Sequence, residues 1–157
     1  MFDLPWHLVT LLNILGVGLM HYSLAWLSSK IPLTKFKEGP LAFGVFQWEE
    51  GGELWNRIFK VRSWKKKLPD GAAFFKGGFS KKRLKSRDSN YLNDFLLETR
   101  RAEFCHWLCL FFSPIFFLYN PLGAALIMLC YCLLANLPCI LAQRVNRPWI
   151  ERILRKS

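Results

Sequence analysis

The amino-acid sequence predicts an all-α integral membrane protein with about three transmembrane helices, a basic cytoplasmic loop and an interfacial amphipathic helix. The composition is 52% hydrophobic and 16% aromatic, yet the formal net charge is +11. Such a mixture is unusual for a soluble globule unless apolar and charged residues occupy different segments. Residues 1–29 and 102–143 contain no Lys or Arg, so all 22 cations lie elsewhere. This segregation indicates a chain with its cations on one side of a membrane.

Three apolar blocks predict the spans, at about residues 8–27, 98–119 and 122–143. Close to 20 residues suffice to cross a hydrocarbon core of roughly 30 Å as a helix. The second span belongs to a longer helix that we expect to start near Asp88, an N-cap residue, and to kink at Pro114. Asn120-Pro121 predicts the hairpin that leads into the third span.

Charge placement predicts the orientation. The positive-inside bias puts residues 30–97 and the tail 144–157 in the cytoplasm and the amino terminus outside. No charged region precedes the first apolar block, which favours an uncleaved anchor over a signal peptide. At 157 residues, the chain predicts a single membrane domain over 1–157, located in the cell membrane as a multi-pass protein.

Residues between the first two spans predict contact with the membrane surface. Residues 41–48 are apolar but too short to span, so we expect them to be interfacial or re-entrant. Residues 53–64 alternate apolar and basic positions, which is typical of an amphipathic helix on the headgroups. The basic run at 80–87 favours anionic membrane lipids as partners over nucleic acid, since the chain is so apolar.

A row of ionisable residues marks the start of the second span and suggests catalysis. On a helix, Arg100, Glu103 and His106 share one face, while Glu98 and Arg101 lie on another. Arg100 and Arg101 are candidates for substrate binding. We predict His106 as a general base for a sugar hydroxyl, oriented by Glu103, with Glu98 as a further catalytic candidate. The alternative interpretation is that these charges lie at a helix end in the membrane interface and have no catalytic role.

A second polar stripe marks the end of the third span. Asn136, Gln143 and Arg147 recur at intervals of seven and four, and Arg144 and Asn146 lie beside them. Guanidinium and amide groups at this depth suit a phosphate or a thioester carbonyl, so these residues are predicted to bind substrate. Snorkelling and anchoring of the helix end are the alternative.

Other sequence features narrow the chemistry. His21 of the first span approaches the same level and is also a candidate for substrate binding. We predict no metal site and no cofactor, because three histidines are few, and the G-x-S-x-G, P-loop and G-x-G-x-x-G motifs are absent. The five cysteines all fall in the second and third spans and are interpreted as packing residues.

An ordered set of stretches resembles the glycosyl-4,4'-diaponeurosporenoate acyltransferase family over nearly the whole chain. They are Phe46-Gln47-Trp48-Glu49, Trp55-Asn56, Val61-Arg62-Ser63-Trp64-Lys65, residues 98–107, and Ala135-Asn136-Leu137-Pro138 through Gln143-Arg144-Val145-Asn146-Arg147-Pro148. The resemblance adds Trp64 to the candidate substrate-binding residues. It implies transfer of a fatty acyl group to the primary glucose hydroxyl of a glycosylated C30 carotenoid acid, towards staphyloxanthin-type pigments.

The partners implied are an acyl donor, either acyl-CoA or acyl carrier protein, and a glycosylated carotenoid or other glycolipid. Two alternatives stay open from the residues themselves. The chain could be a non-catalytic lipid-binding or scaffold subunit of a pigment-assembly complex. It could also be a small membrane methyltransferase or reductase.

Overall fold

The computed structural model describes residues 5–69, 71, 79 and 84–156. These residues form five α-helices joined by 3-10 turns, with no strand among them, which confirms the predicted all-α class. The helices are α1 (Trp6–Lys30), α2 (Glu53–Phe59), α3 (Val61–Trp64), α4 (Ser89–Phe112) and α5 (Leu122–Leu154). The first half of the basic run expected to contact anionic lipids, residues 80–83, lies outside the described part of the chain.

Three helices are long and apolar enough to cross a membrane, as predicted: α1, α4 with the turn that follows it, and α5. α1 exposes an almost wholly apolar surface, and of its 25 residues only Asn13 and Ser28 are buried. A helix that presents leucines such as Leu15 and Leu19 to its surroundings is suited to lipid and not to water. The chain is therefore a membrane protein.

α4 begins and ends where its sequence predicts. The Asp88 carboxylate accepts hydrogen bonds from the backbone amides of Asn90 at 3.0 Å and Tyr91 at 3.1 Å, which confirms Asp88 as the N-cap. The helix ends at Phe112, and Ser113–Leu118 continues as a 3-10 turn that contains Pro114. Because proline has no amide hydrogen and crowds the preceding turn, the α-helical pattern stops here.

α5 is longer than the expected third span of residues 122–143. It continues without interruption to Leu154, so the predicted tail of residues 144–157 is largely helical. Its last turns pack on the start of α4, where Leu92, Phe95 and Ile150 form a small apolar core. Helices α4 and α5 are antiparallel, and we call the end of the bundle that carries Lys30, Arg101 and Arg144 its basic end.

The expected single amphipathic helix over residues 53–64 is broken in two. Lys60 has φ +50°, which ends α2, and α3 restarts at Val61. The Asn56 side chain accepts a hydrogen bond from the Arg62 amide at 3.1 Å and so satisfies a donor of the new first turn. Ile58 and Phe59 stay exposed, which suits the predicted interfacial location.

Candidate active site

Four charged side chains form a buried cluster between α4, α5 and the turn at Gln47–Gly52. Glu103 accepts hydrogen bonds from Arg144 Nε at 2.8 Å and from Arg147 Nη2 at 2.5 Å. Arg144 also donates to Glu49. Glu49, Glu103 and Arg147 are fully buried, and Arg144 nearly so. Two carboxylates and two guanidinium groups balance in charge, as burial in a low-dielectric interior requires.

Both carboxylates of the charge cluster accept further hydrogen bonds, whereas Arg147 Nη1 is buried without a partner among the described residues. Glu49 accepts from the Trp55 indole at 2.6 Å and from the Phe46 amide at 3.2 Å. Trp107 donates to Glu103 at 3.3 Å. The cluster thus ties three parts of the chain together at the basic end. Arg144 and Arg147, expected from the sequence to bind substrate, belong to this cluster.

A cavity of about 1020 Å³ lies beside the charge cluster, between α1, α4, α5 and the segment that follows α3. Its polar lining includes Glu98, Arg101, His106, Gln143 and Asn146, all of them predicted site residues. Arg144 and Arg147 are not among the residues that line it. The volume is at the upper end of the range for small-molecule sites, so the cavity can hold a headgroup and part of a second molecule.

Two histidines from different helices meet at one buried amide. The ring of His106 has Nδ1 2.8 Å from Asn136 Oδ1, and Asn136 Nδ2 lies 3.0 Å from His21 Nε2. Asn136 Nδ2 also donates to the Cys132 carbonyl at 2.8 Å, and His21 Nδ1 contacts the Val17 carbonyl at 2.8 Å. The chain His21–Asn136–His106 therefore links α1, α5 and α4 in one line of hydrogen bonds.

The two carbonyl groups determine where each proton in this chain lies. Because a carbonyl only accepts, the His21 proton is on Nδ1 and the Asn136 amino group faces Cys132. Asn136 then gives its second hydrogen to His21 Nε2 and presents Oδ1 to His106. His106 must donate from Nδ1, so the lone pair of the neutral ring is on Nε2. In this tautomer, Nε2 is the nitrogen that can accept a proton.

The structure assigns a different neighbour to the imidazole than the sequence suggested. Glu103, predicted to orient His106, accepts hydrogen bonds from Arg144, Arg147 and Trp107, while the bond at His106 Nδ1 runs to Asn136. Glu103 and His106 share a face of α4, but Glu103 faces the arginines of α5. Asn136 is thus a residue that orients the ring through a hydrogen bond.

The other predicted residues divide between the cavity and the scaffold. Arg101 pairs with Glu98 inside the cavity, and Asn146 accepts from Lys65 there.

Arg100 donates to the carbonyls of Phe36 at 2.9 Å and Lys37 at 3.1 Å, and so fixes the chain that leaves α1. Trp64 donates to the Phe59 carbonyl at 2.7 Å and is not a lining residue.

Two polar groups in the cavity have no hydrogen-bond partner among the described residues. They are the Ser28 hydroxyl, in a side chain only 3% exposed, and the buried Oε1 of Gln143. Both residues line the cavity. An unpaired buried polar atom costs roughly 1–3 kcal/mol, so these groups suit a ligand that carries hydroxyl or amide groups. Ser28 was not recognised from the sequence, since a lone serine in an apolar helix gives no pattern.

Four basic residues also line the cavity, and of these only Arg62 lies in the segment 53–64 that was predicted to contact lipid headgroups. They are Lys30, Arg62, Lys65 and Lys66, which we call the basic mouth. Burial lowers the pKa of Lys65, and the charges of Arg62 and Lys66 lower it further. Together with Arg101, these residues place five cations around the cavity, whereas Glu98 is the single carboxylate among the described lining residues. The cavity therefore favours the binding of anions.

No group of three or more His, Cys, Asp or Glu side chains could hold a metal ion within the described ranges. The polar groups that line the cavity are an imidazole, amides, hydroxyls, the thiols of Cys105 and Cys139, the Glu98 carboxylate and cations. They can accept a proton, donate hydrogen bonds to carbonyl oxygens and bind negative charge.

The fold and the cavity define a small helical membrane protein with a polar, cationic site among its apolar spans. The family model for glycosyl-4,4'-diaponeurosporenoate acyltransferase matches residues 40–156. A relative of that name from Staphylococcus haemolyticus (strain JCSC1435) is 32% identical over 151 residues, 91% of this chain and 88% of its own. One from Staphylococcus aureus (strain bovine RF122 / ET3-1) is 32% identical over 137 residues, 87% of this chain and 82% of its own. No solved structure matches.

The chain belongs to the glycosyl-4,4'-diaponeurosporenoate acyltransferase family and is an acyltransferase. The resemblance noted in the sequence is thereby confirmed.

Proposed function

We propose that the chain transfers a fatty acyl group to a sugar hydroxyl of glycosyl-4,4'-diaponeurosporenoate, with the cavity as its active site and His106 as the general base. The observation that carries the proposal is the hydrogen bond from His106 to Asn136, which makes Nε2 the basic nitrogen of a cavity-lining ring. The family name supplies the acceptor, because the relatives are named for this glycosylated carotenoid.

The proposed reaction has two proton transfers and one exchange at the acyl carbon. His106 Nε2 takes the hydroxyl proton as the sugar oxygen attacks the acyl carbonyl, so a C–O bond forms. The bond to the donor's leaving atom then breaks, and the imidazolium returns the proton to that atom. The products are the sugar ester and the free leaving group, so that no further reactant is needed.

Other cavity residues have roles in binding under this proposal. Gln143 Oε1 and the Ser28 hydroxyl have no hydrogen-bond partner among the described residues and are available to a substrate, the amide oxygen as an acceptor and the hydroxyl as a donor or an acceptor. Arg101, held by Glu98, lies about 8 Å from His106 along α4, from five residues at 1.5 Å each. Arg101 can therefore bind a negatively charged group of a substrate nearer the basic end. Its ion pair with Glu98 fixes the position of the guanidinium group.

The depth of the site suits two amphiphilic substrates. His106, Asn136 and His21 lie within the apolar spans, and the basic mouth lies where these spans end. A carotenoid tail and an acyl chain can stay in lipid while the reacting groups meet in the cavity. We place this end in the cytoplasm because the cations are concentrated there.

His106→Gln tests the proposal, with His7→Gln as the matched control. His7 is exposed at the far end of α1, so its substitution should leave ester formation unchanged. Loss of a positioned base reduces the rate by about 10²–10⁴-fold. We expect His106→Gln to insert and unfold like the parent but to lose ester formation from acyl donor and glycosylated carotenoid.

Turnover of His106→Gln within about threefold of the parent would remove His106 from the chemistry. Formation of a methylated or reduced product, or cofactor dependence, would favour the methyltransferase or reductase alternative. Binding of the glycolipid without any product would favour a scaffold.

A further inference from the structure

The basic mouth contains more cations than carboxylates among the described residues that line the cavity. No carboxylate of the described residues pairs with Lys65 or Lys66, and Arg62 pairs only with the exposed Glu53. Lys65 donates instead to Asn146, a neutral amide. Cations that face one cavity repel one another, so an anion that enters the cavity is attracted by all of them.

The lowered pKa of Lys65 agrees with the position of these residues around one cavity. Burial is the main cause of its lowered pKa, and Arg62 and Lys66 act in the same direction. A cluster of this kind at the opening of a large cavity differs from a row of solvated surface lysines, because its members face a common space that also contains His106.

The path from the mouth to the base has polar groups along it. Lys30 lies nine residues after His21 on α1, which corresponds to about 13 Å along the helix axis. Ser28 and Gln143, both unpaired, line the cavity between these levels. A ligand that crosses this space needs a phosphate or other anion at one end, hydrogen-bonding groups in its middle and its reactive atom at the other end.

We infer that the basic mouth binds the phosphate of a phosphopantetheine thioester, and that the acyl donor is of this class. This inference rests on the proposed function. The arm carries two amide groups between phosphate and sulfur, which match Ser28 and Gln143. At His106 the sugar oxygen forms the ester bond, the C–S bond breaks, and the thiolate takes the proton from the imidazolium. The basic mouth thus recognises the donor by its phosphate end, far from the bond that breaks.

The test compares two donors that differ by one phosphate, acyl-4'-phosphopantetheine and acyl-pantetheine. The protein is held in phosphatidylcholine nanodiscs with glycosylated carotenoid. We expect removal of the phosphate to raise the donor KM roughly tenfold with kcat unchanged, the size of a charge-assisted hydrogen bond. Lys65→Met and Lys66→Met should raise the KM of the phosphorylated donor to a similar degree. They should not alter the KM of acyl-pantetheine.

Lys67→Met is the matched control, because Lys67 is an exposed neighbour in the same turn and does not line the cavity. It removes the same charge and should change neither KM. Equal effects of Lys66→Met on both donors, or no dependence on phosphate, would overturn the inference. Ester formation from phospholipid but from no thioester would also overturn it.

Two further measurements are needed. One identifies which carrier supplies the phosphopantetheine arm, and the other distinguishes failure of this inference from failure of the proposed function. Saturation by acyl-CoA or by acyl carrier protein, each with a phosphopantetheine arm, identifies the carrier, and either one supports the inference. If no donor gives ester, the proposed function fails by itself. Calorimetric titration with CoA then tests whether the basic mouth binds the phosphopantetheine phosphate. Binding that Lys66→Met weakens about tenfold supports this site, and absence of binding contradicts it.

Discussion

Gly52 lies against the backbone of Arg144, at the point where the turn Gln47–Gly52 meets α5. A Cβ built on Gly52 would stand 2.9 Å from the Arg144 carbonyl oxygen and 3.1 Å from Val145 Cα. Gly52 also has φ +85°, a conformation that residues with a side chain rarely adopt. This close approach brings Glu49 to Arg144, so it is a condition for the charge cluster.

Gly52→Ala should destabilise the fold more than Gly39→Ala. Gly39 has φ +80° but open space around its Cβ position, so its substitution measures the backbone cost alone, about 1–2 kcal/mol. Gly52→Ala adds a clash with backbone atoms that cannot rotate away. Thermal unfolding in detergent would show the difference, and equal losses for the two variants would contradict it.

Glu103→Gln should destabilise the protein strongly. It leaves Arg144 and Arg147 buried with one carboxylate instead of two, and breaking a buried pair by removal of one partner costs about 3–5 kcal/mol. Glu53→Gln is the control, because its pair with Arg62 is largely exposed. A Glu103→Gln protein with unchanged unfolding temperature but raised donor KM would instead return Arg144 and Arg147 to a binding role.

Asn136→Ala should impair catalysis through His106. The imidazole loses the acceptor that fixes its tautomer, so kcat should fall, with a change in the pH profile of kcat that a purely structural defect would not cause. Asn13→Ala is the control. Asn13 and Asn120 exchange two hydrogen bonds, at 2.8 and 2.9 Å, at the opposite end of the bundle. Asn13→Ala should lower the free energy of unfolding by about 1 kcal/mol and leave the pH profile of kcat unchanged.

Donor binding should weaken as pH rises, if the basic mouth binds phosphate. The pKa of Lys65 lies below the usual 10.5, so its charge is lost at lower pH than that of a free lysine. The KM of a phosphorylated donor should therefore rise with increasing pH, starting below pH 10.5, while that of acyl-pantetheine should not. Lys65→Arg, which keeps its charge, should remove most of this rise.

The orientation of the chain can be tested at its ends. We expect the carboxyl terminus to face the cytoplasm and the amino terminus to face outside. In a Cys-less background, an impermeant maleimide applied to intact cells should label His7→Cys and leave Lys156→Cys unlabelled. Strong external labelling at Lys156→Cys would reverse the topology.

The sequence predicted the helices well because lipid imposes simple demands on length and hydrophobicity. The N-cap at Asp88 and the hairpin at Asn120-Pro121 were also predictable, since both depend on local backbone chemistry. The break at Lys60 was not, because it depends on a side chain of Asn56 that reaches across the turn.

The sequence predicted most residues of the candidate site, but it did not predict which of them form hydrogen bonds with one another. His106, Asn136 and His21 were all recognised as polar residues in spans, but periodicity along one helix gives no partner on another. Glu103 was therefore assigned to its helical neighbour His106 instead of to Arg144 and Arg147 of α5. Glu49 was missed for the same reason, as its arginine lies 95 residues away.

The bond from His106 to Asn136 has a consequence for the order of events in turnover. Asn136 has both hydrogens committed, to Cys132 and His21, so it cannot relay a proton away from the ring. Under the proposed mechanism, a proton taken at Nε2 leaves from Nε2, and the leaving group of the donor receives it while the acceptor is still bound. We therefore expect both substrates to be bound before either product leaves. Initial-rate plots at several acceptor concentrations should intersect, whereas parallel lines would indicate a covalent acyl-enzyme instead.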